Sequence, residues 1–356
     1  MKKTALYKQI QLEIKERIAS GQLRPLDRIP SEQELMDEFK VSKITVKNAL
    51  TELADEGLVT RIQGKGTFVA ADLKPVEVKA PAPEPEPEPV QVPLVGFVIP
   101  TMKTTVIQKL VDYIEFYLKE AGFQMILSIT REHAAEESRA ITALVDAGVQ
   151  GLIVFPTEDE KYNESLLRLS LDKFPFVFID RFLRNIETYT ITSDNDGGAY
   201  RTVTHLLSKG HRQIALISPE NANTTIEDRT TGFEKAYIDQ GESIDKSLWC
   251  HVPLDVLRSE RALDYVTDFL KSHPTITAAF TLTEEIAGLT WQSLQLIKRR
   301  TEVELFSFDN PDIPNVPYVQ QDEQELARSA VMLLQDQIGH TYDPRHIVVP
   351  VQLVYP

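Results

Sequence analysis

Two lysines one helical turn apart, Lys43 and Lys47, lie in Val41-Ser-Lys-Ile-Thr-Val-Lys-Asn-Ala-Leu50, where Val46 and Ala49 supply the inward face of a helix. Both ammonium groups then point outward together, a geometry suited to a guanine edge or to phosphates. Lysine is a point charge without arginine's planar fork, so more of its contribution goes to phosphate than to base discrimination. Ser42 and Thr45 flank the pair at the helix start. Alone, such lysines are an ordinary solvated face. Their company argues otherwise: Lys2 and Lys3 add charge at the N-terminus, and Gln63-Gly-Lys-Gly66 separates two strand-like runs with bare backbone able to approach a groove.

Catalytic constellations are missing from the chain. No G-x-S-x-G, Walker or H-E-x-x-H spacing occurs, and Asp194-Asn-Asp-Gly197 lacks the spacing and the later glutamate of a calcium loop. The seven histidines are scattered and Cys250 is the single cysteine, which excludes a Cys/His zinc site and an intrachain disulfide. An enzyme, a metal site and a cofactor are therefore not expected.

The elements around the lysines follow from periodicity. Ile10, Ile14 and Ile18 recur every four residues and predict a helix over about 7–20, closed by Gly21. Ser31 and Glu34 have capping-box spacing ahead of Leu35, Met36 and Phe39, which starts a second helix. Ser42 caps a third, with Val46, Ala49, Leu50 and Leu53 on one face, and Gly57 ends it. Leu58–Ile62 and Thr67–Ala70 then form a hairpin. Three helices and a hairpin make a winged helix-turn-helix over 1–70.

At Pro81-Ala-Pro-Glu-Pro-Glu-Pro-Glu-Pro89 alternating prolines fix φ and remove backbone donors. This is a linker, set at 71–92, whose nine residues at ~3.1 Å each reach about 28 Å. Beyond it, strand-like runs at 95–99, 125–128, 151–155, 176–179, 214–217, 278–281 and 304–308 alternate with helical stretches of about a dozen residues, the pattern of parallel sheets covered by helices. Two lobes fit this length: the first over about 93–192 and 320–338, the second over about 193–319 and 339–356.

Charge divides along the same boundaries. The chain of 356 residues carries −15 overall, made of +2 over residues 1–70, −3 over 71–92 and −14 over the rest. A mildly basic head on an acidic body confines any duplex contact to the head, because phosphate attraction decays within a Debye length of about 10 Å. No apolar run approaches the ~20 residues of a membrane helix, and no secretory signal is evident. A cytoplasmic location with no membrane partner is the expectation.

Over about residues 4–70 the chain resembles the GntR-type winged-helix regulators. The likeness rests on Leu6-Tyr7, Gly21-Gln-Leu23, Ile29-Pro-Ser-Glu-Gln-Glu-Leu35, Val41-Ser-Lys-Ile-Thr-Val46, Ala49-Leu50, Gly57-Leu58 and Gly64-Lys-Gly-Thr-Phe-Val69. It implies that Tyr7, Glu32, Ser42, Lys43, Thr45, Lys47, Gln63, Gly64 and Gly66 lie at or near DNA. The family usually has arginine where Lys43 and Lys47 stand, a departure that bears on the operator sequence.

Over about 93–356 the chain resembles the LacI/GalR effector-binding domain, related to periplasmic sugar-binding proteins. This likeness rests on Pro93-Leu-Val-Gly-Phe-Val-Ile-Pro100, Phe176-Val-Phe-Ile-Asp-Arg181, Ser193-Asp-Asn-Asp-Gly-Gly-Ala199, His205-Leu-Leu-Ser-Lys-Gly-His-Arg-Gln-Ile214, Arg229-Thr-Thr-Gly-Phe233, Ser307-Phe-Asp-Asn310 and Tyr318-Val-Gln-Gln-Asp322. The pairing with a GntR-like head resembles regulators of the arabinose-repressor type.

The resemblance implies a sugar effector held between lobes by Arg229, bidentate to adjacent hydroxyls, and by Asp309 as acceptor. Asp180 and Arg181 sit at the cleft mouth, as ligand contacts or as a salt bridge. Thr283-Glu284-Glu285-Ile-Ala287-Gly288 departs from the family's Asn-Asp, which sets Glu284 between hydroxyl acceptor and surface acid. Phe182, Trp249 and Trp291 have the chemistry to stack on a sugar, or to fill core. The expected protein is a homodimeric repressor, paired through the helix at 107–121 and its neighbours, that leaves double-stranded operator DNA when a sugar binds. A periplasmic transport receptor is the alternative.

Overall fold

The structure is a computed structural model describing residues 6–62, 65–72, 92–158, 163–184, 186–220, 223–339 and 342–356. It divides into two compact units, Met1–Gln91 and Val92–Pro356. Gln63 and Gly64, and most of the expected linker, lie outside the described residues.

In the first unit α1 (Leu6–Ala19), α2 (Glu32–Phe39) and α3 (Lys43–Asp55) precede β1 (Val59–Ile62) and β2 (Gly66–Val69). The capping box at α2 is complete: Glu34 N donates to Ser31 Oγ at 3.3 Å and Ser31 N donates to Glu34 Oε2 at 2.7 Å. Lys40 (φ 51) turns the chain in left-handed conformation, and Ser42 then caps α3 by accepting from Thr45 N. The inward faces of the three helices meet in one core of Ile10, Ile14, Leu35, Val46, Ala49, Leu50 and Leu53. The strands pair antiparallel with Val59 opposite Val69, and Ile29 N donates to Thr67 O, so the 26–29 segment lines the outer edge of β2.

The second unit runs β3 (Leu94–Ile99), α4 (Thr105–Glu120), β4 (Gln124–Ile129), α5 (Ala134–Asp146), β5 (Gly151–Val154), α6 (Glu164–Leu171), β6 (Phe176–Ile179) and β7 (Tyr189–Ser193). There follow α7 (Asn195–Ser208), β8 (Ile214–Pro219), α8 (Thr224–Asp239), β9 (Trp249–Val252), α9 (Leu254–Leu257), α10 (Ala262–Ser272) and β10 (Ala278–Thr281). The chain closes with α11 (Glu284–Leu296), β11 (Glu304–Phe308), β12 (Tyr318–Gln320), α12 (Glu323–Gly339), β13 (His346–Val349) and β14 (Gln352–Val354).

Two six-stranded sheets result, β13-β7-β6-β5-β3-β4 and β14-β12-β11-β10-β8-β9. The first is parallel throughout, and in the second only β12 and β14 pair antiparallel. Helices α4 and α12 bury Leu110, Ile114, Leu326, Ala330 and Leu334 on one face of the first sheet, while Ile141, Leu144 and Leu166 cover the other. Burial on both faces is why β5 and β6 read as unbroken apolar runs. β7, with sequence Tyr-Thr-Ile-Thr-Ser, is also fully buried, but its threonines disguise it in the sequence.

The lobe boundaries need one correction. Residues 339–356 were expected together in the second lobe, yet β13 pairs parallel with β7 in the first sheet, and only β14 belongs to the second. The chain therefore passes between lobes three times: between β7 and α7, between β12 and α12, and between β13 and β14. Hydrogen bonds tie the crossings together, Asp194 N to Val349 O at 2.8 Å and Ser193 Oγ to Gln321 Oε1 at 2.5 Å.

Candidate functional site

The carboxyl ends of β3, β4, β5 and β6 in one lobe and of β8, β10 and β11 in the other face a common cleft of about 900 Å³. This is where parallel sheets place ligands. All five sequence-expected residues, Asp180, Arg181, Arg229, Glu284 and Asp309, line it.

Arg229 anchors the floor. It lies in the second turn of α8, whose start is fixed by Asn223 accepting from Ile226 N. One turn further on, Gly232 permits close contact with α7: a Cβ there would fall 2.1 Å from Asp196 O. That closeness brings Asn195 to Arg229, whose Nε donates to Asn195 Oδ1 at 2.9 Å. Nη1 donates to Leu282 O and lies 3.3 Å from Asp309 Oδ2, and the guanidinium stacks 3.6 Å from the centroid of Phe308. Asp309 Oδ1 accepts from Gln321 Nε2 at 2.6 Å, and Gln321 in turn accepts from Ser193. A buried hydrogen-bonded line thus runs from the cleft floor to the crossing strands. Nε and Nη1 are thus both engaged within the protein.

Asp180 and Asp309 directly follow β6 and β11 in left-handed conformation, φ 65 and 70. That conformation is costly for most side chains and tolerated by Asp and Asn. Burial pushes the Asp180 carboxyl above its usual range, against the pull of Arg229. Arg229 is lowered by burial, against Asp309. Arg181 Nη1 lies 3.6 Å from Glu132 Oε1, an ion pair within the first lobe, and its guanidinium lies 5.0 Å from the Phe155 ring centroid, while the residue also lines the cleft.

Glu284 reaches across the cleft. Its Oε1 accepts from Thr105 N at 2.9 Å, and burial raises its carboxyl despite that bond. Other contacts also join the lobes: Phe182 N donates to Thr224 Oγ1 at 3.2 Å, Thr225 Oγ1 to Asp180 O at 3.4 Å and Arg184 to Glu227 and Asp228, and Arg258 lies 3.9 Å from Glu158.

Sequence reading missed Glu132, Glu158, Lys103, Arg258 and Thr225 in the lining. Only the fold assembles these, and no local pattern marks them. Phe182, Trp249 and Trp291 do not line the cleft; Phe182 packs on His346, Trp249 on Phe233, and Trp291 lies under Arg300. Three of the cleft's arginines are already matched with carboxylates, Arg181 with Glu132, Arg229 with Asp309 and Arg258 with Glu158.

In the first unit Lys43 and Lys47 are exposed on the outer face of α3, with Ser42 exposed and Thr45 half-buried at its start. Ser42 Oγ and Thr45 Oγ1 lie 2.9 Å apart. Glu32 accepts from Arg61 Nη2 at 3.4 Å, which ties α2 to β1, and Tyr7 packs against the helical core. Gly66 (φ 117) opens β2, where a Cβ would meet Arg28 Nε at 3.0 Å. Ile44, 71% exposed between the lysines, is an apolar surface that the sequence reading passed over. Its kind of side chain suits a thymine methyl.

The comparisons with known proteins fall on the same two units. The model "Bacterial regulatory proteins, gntR family" matches residues 6–69, and "Periplasmic binding proteins and sugar binding domain of LacI family" matches residues 93–307. The arabinose metabolism transcriptional repressor of Halalkalibacterium halodurans is 31% identical over 244 residues, 67% of this chain and 62% of its own length. That of Geobacillus stearothermophilus is 30% identical over 242 residues, 67% of this chain and 63% of its own. The match thus spans less than two thirds of those relatives. The solved transcription regulator CcpA of Lactococcus lactis superposes with a TM-score of 0.66 at 16% identity, over 74% of this chain and 98% of that one, a likeness of fold alone.

Proposed function

The chain belongs to the family of periplasmic binding proteins and LacI-type sugar-binding domains, and on that premise we propose that it is a transcriptional repressor of sugar-utilisation genes whose DNA grip is released by a sugar. Arabinose or a similar sugar is the effector. The observation that carries this reading is the joining, in one chain, of a winged helix with two outward lysines to a two-lobed body whose cleft floor is Arg229 paired with Asp309.

A neutral polyol suits the cleft. Its hydroxyls both donate and accept, which matches a floor where Arg229 and Asp309 are paired and Arg181 and Arg258 also have carboxylate partners. Arg229, Asp309 and Asp180 are the effector contacts, with Arg181 held beside them by Glu132. Lys43, Lys47, Ser42, Thr45 and Gly66, with Tyr7, Glu32, Gln63 and Gly64, form the duplex-facing surface. The protein acts in the cytoplasm as a homodimer on double-stranded operator DNA, with no cofactor, no membrane partner and no enzymatic turnover. A transport receptor would need the body only, so the helix-turn-helix unit favours the regulator.

The experiment is a thermal-shift panel of pentoses, hexoses, their phosphates and nucleosides, followed by gel shift on duplexes from beside the coding region at low ionic strength. A sugar at 100 times its Kd contributes about 2.7 kcal/mol to the folded state. The reading requires that a neutral sugar which raises the melting temperature also frees the duplex. Failure to retain any such duplex would reject it.

A further inference from the structure

Helix α4 forms part of the cleft wall in the first lobe, yet its own N-cap residue does not cap it. Thr104 stands at the N-cap position in extended conformation (φ −91, ψ 145) and makes no side-chain hydrogen bond to the helix. First-turn N–H groups have no intrahelical acceptor, so the Thr105 N–H depends on a partner from elsewhere. That partner is Glu284 Oε1, 2.9 Å away, the first residue of α11 in the opposite lobe. Glu284 is not needed at its own helix start, because Thr283 already accepts from Ile286 N there. A carboxylate at a helix N-terminus also gains from the helix dipole.

We propose that Glu284 is a cross-cleft clasp, a positioning residue that holds the two lobes together by capping α4 from the other side. The proposal goes beyond the repressor reading and stands whatever molecule fills the cleft. It reassigns Glu284 from the ligand shell to lobe closure, and it gives the chain's departure from the family's Asn-Asp a physical task. A glutamate side chain reaches one methylene further than an aspartate. The hydrogen bond from Thr105 N is the cross-cleft contact that Glu284 Oε1 makes.

The test uses the full chain without sugar or DNA and reads the distance between fluorophores attached through introduced cysteines at Glu120 on α4 and Leu296 on α11. Cys250 is buried, with its thiol pushed up to about 12, so it does not compete for the label. Glu284→Ala removes the acceptor. Thr105→Pro removes the donor, and proline is favoured at the first helical position after an extended residue such as Thr104. Both variants should lengthen the interlobe distance, the double variant should add nothing further, and Glu284→Gln should stay near the parent. In Glu284→Ala, exchange of the Thr105 amide should accelerate at least ~10-fold. An unchanged distance in either single variant, with cooperative melting retained, overturns the clasp. So does an additive double variant.

Discussion

Arg229 Nη1 lies 3.3 Å from Asp309 Oδ2, and the two side chains are only 2% and 10% exposed, so the cleft floor is a buried ion pair bridging α8 and the end of β11. Such a pair is weakly stabilising as a unit, because desolvation opposes attraction, but removing one partner strands the other charge.

The two kinds of variant should therefore behave differently. Arg229→Ala should destabilise the body by about 3–5 kcal/mol, with little relief in high salt, since buried pairs are poorly screened. Arg229→Met with Asp309→Asn removes both charges, and asparagine tolerates the left-handed backbone at 309. This double variant should recover most of the loss in urea unfolding and still show no sugar binding by calorimetry. If sugar affinity survives in it, the pair is structural only.

Asp180 supplies a pH signature. Its carboxyl is raised by burial, so the folded state holds that proton more tightly than the unfolded chain does. The ionised form consequently costs stability: the cost is absent below the ordinary value of 3.8 and fully present above the raised one. Asp180→Asn, compatible with φ 65, should melt higher than the parent at pH 7, and the gap should close as pH falls towards 3.8. A gap that widens on acidification would reverse the assigned direction.

Gly232 sets how closely two helices approach. Because a Cβ would meet Asp196 O at 2.1 Å and Tyr200 N at 2.9 Å, Gly232→Ala must push α8 off α7. Overpacking of this kind costs typically 1–3 kcal/mol, and here it also moves Arg229 away from Asn195. Lower urea midpoints should thus come with weaker sugar affinity. A stable variant with parental affinity would show that the helices shift at no cost.

For the winged helix, Lys43→Ala with Lys47→Ala should abolish detectable duplex retention at physiological salt. At lower salt the log–log dependence on salt should flatten by roughly 1.8 per chain, the value for two lost phosphate contacts. Sugar-induced thermal shifts should be unaltered. Gel shifts across a salt series decide it, and parental retention rejects α3 as the duplex-facing helix.

Legibility in the sequence followed the range of the interaction. Ser31 with Glu34, and Ser42 ahead of α3, are contacts within four residues, and both caps appear where spacing places them. Arg229 and Asp309, 80 residues apart, were reachable through the likeness of their local stretches to a family, while their mutual bond was not. Glu132 and Glu158 gave no signal, because an acid on a loop looks alike in sequence whether it faces water or a cleft. Local sequence puts β13 in the wrong lobe for a related reason. His-Ile-Val-Val and Gln-Leu-Val are two short strands with the same local character, and the partner each one finds is decided by where α12 delivers the chain.

The triple passage of the backbone between lobes has a mechanical meaning. A single tether would let the halves tumble independently, and a pair would still permit twisting. Three tethers, cross-linked through Ser193, Gln321 and the Asp194–Val349 bond, constrain how the halves can move against each other more than one or two would. An occupant of the cleft therefore meets halves whose relative movement these crossing strands restrain.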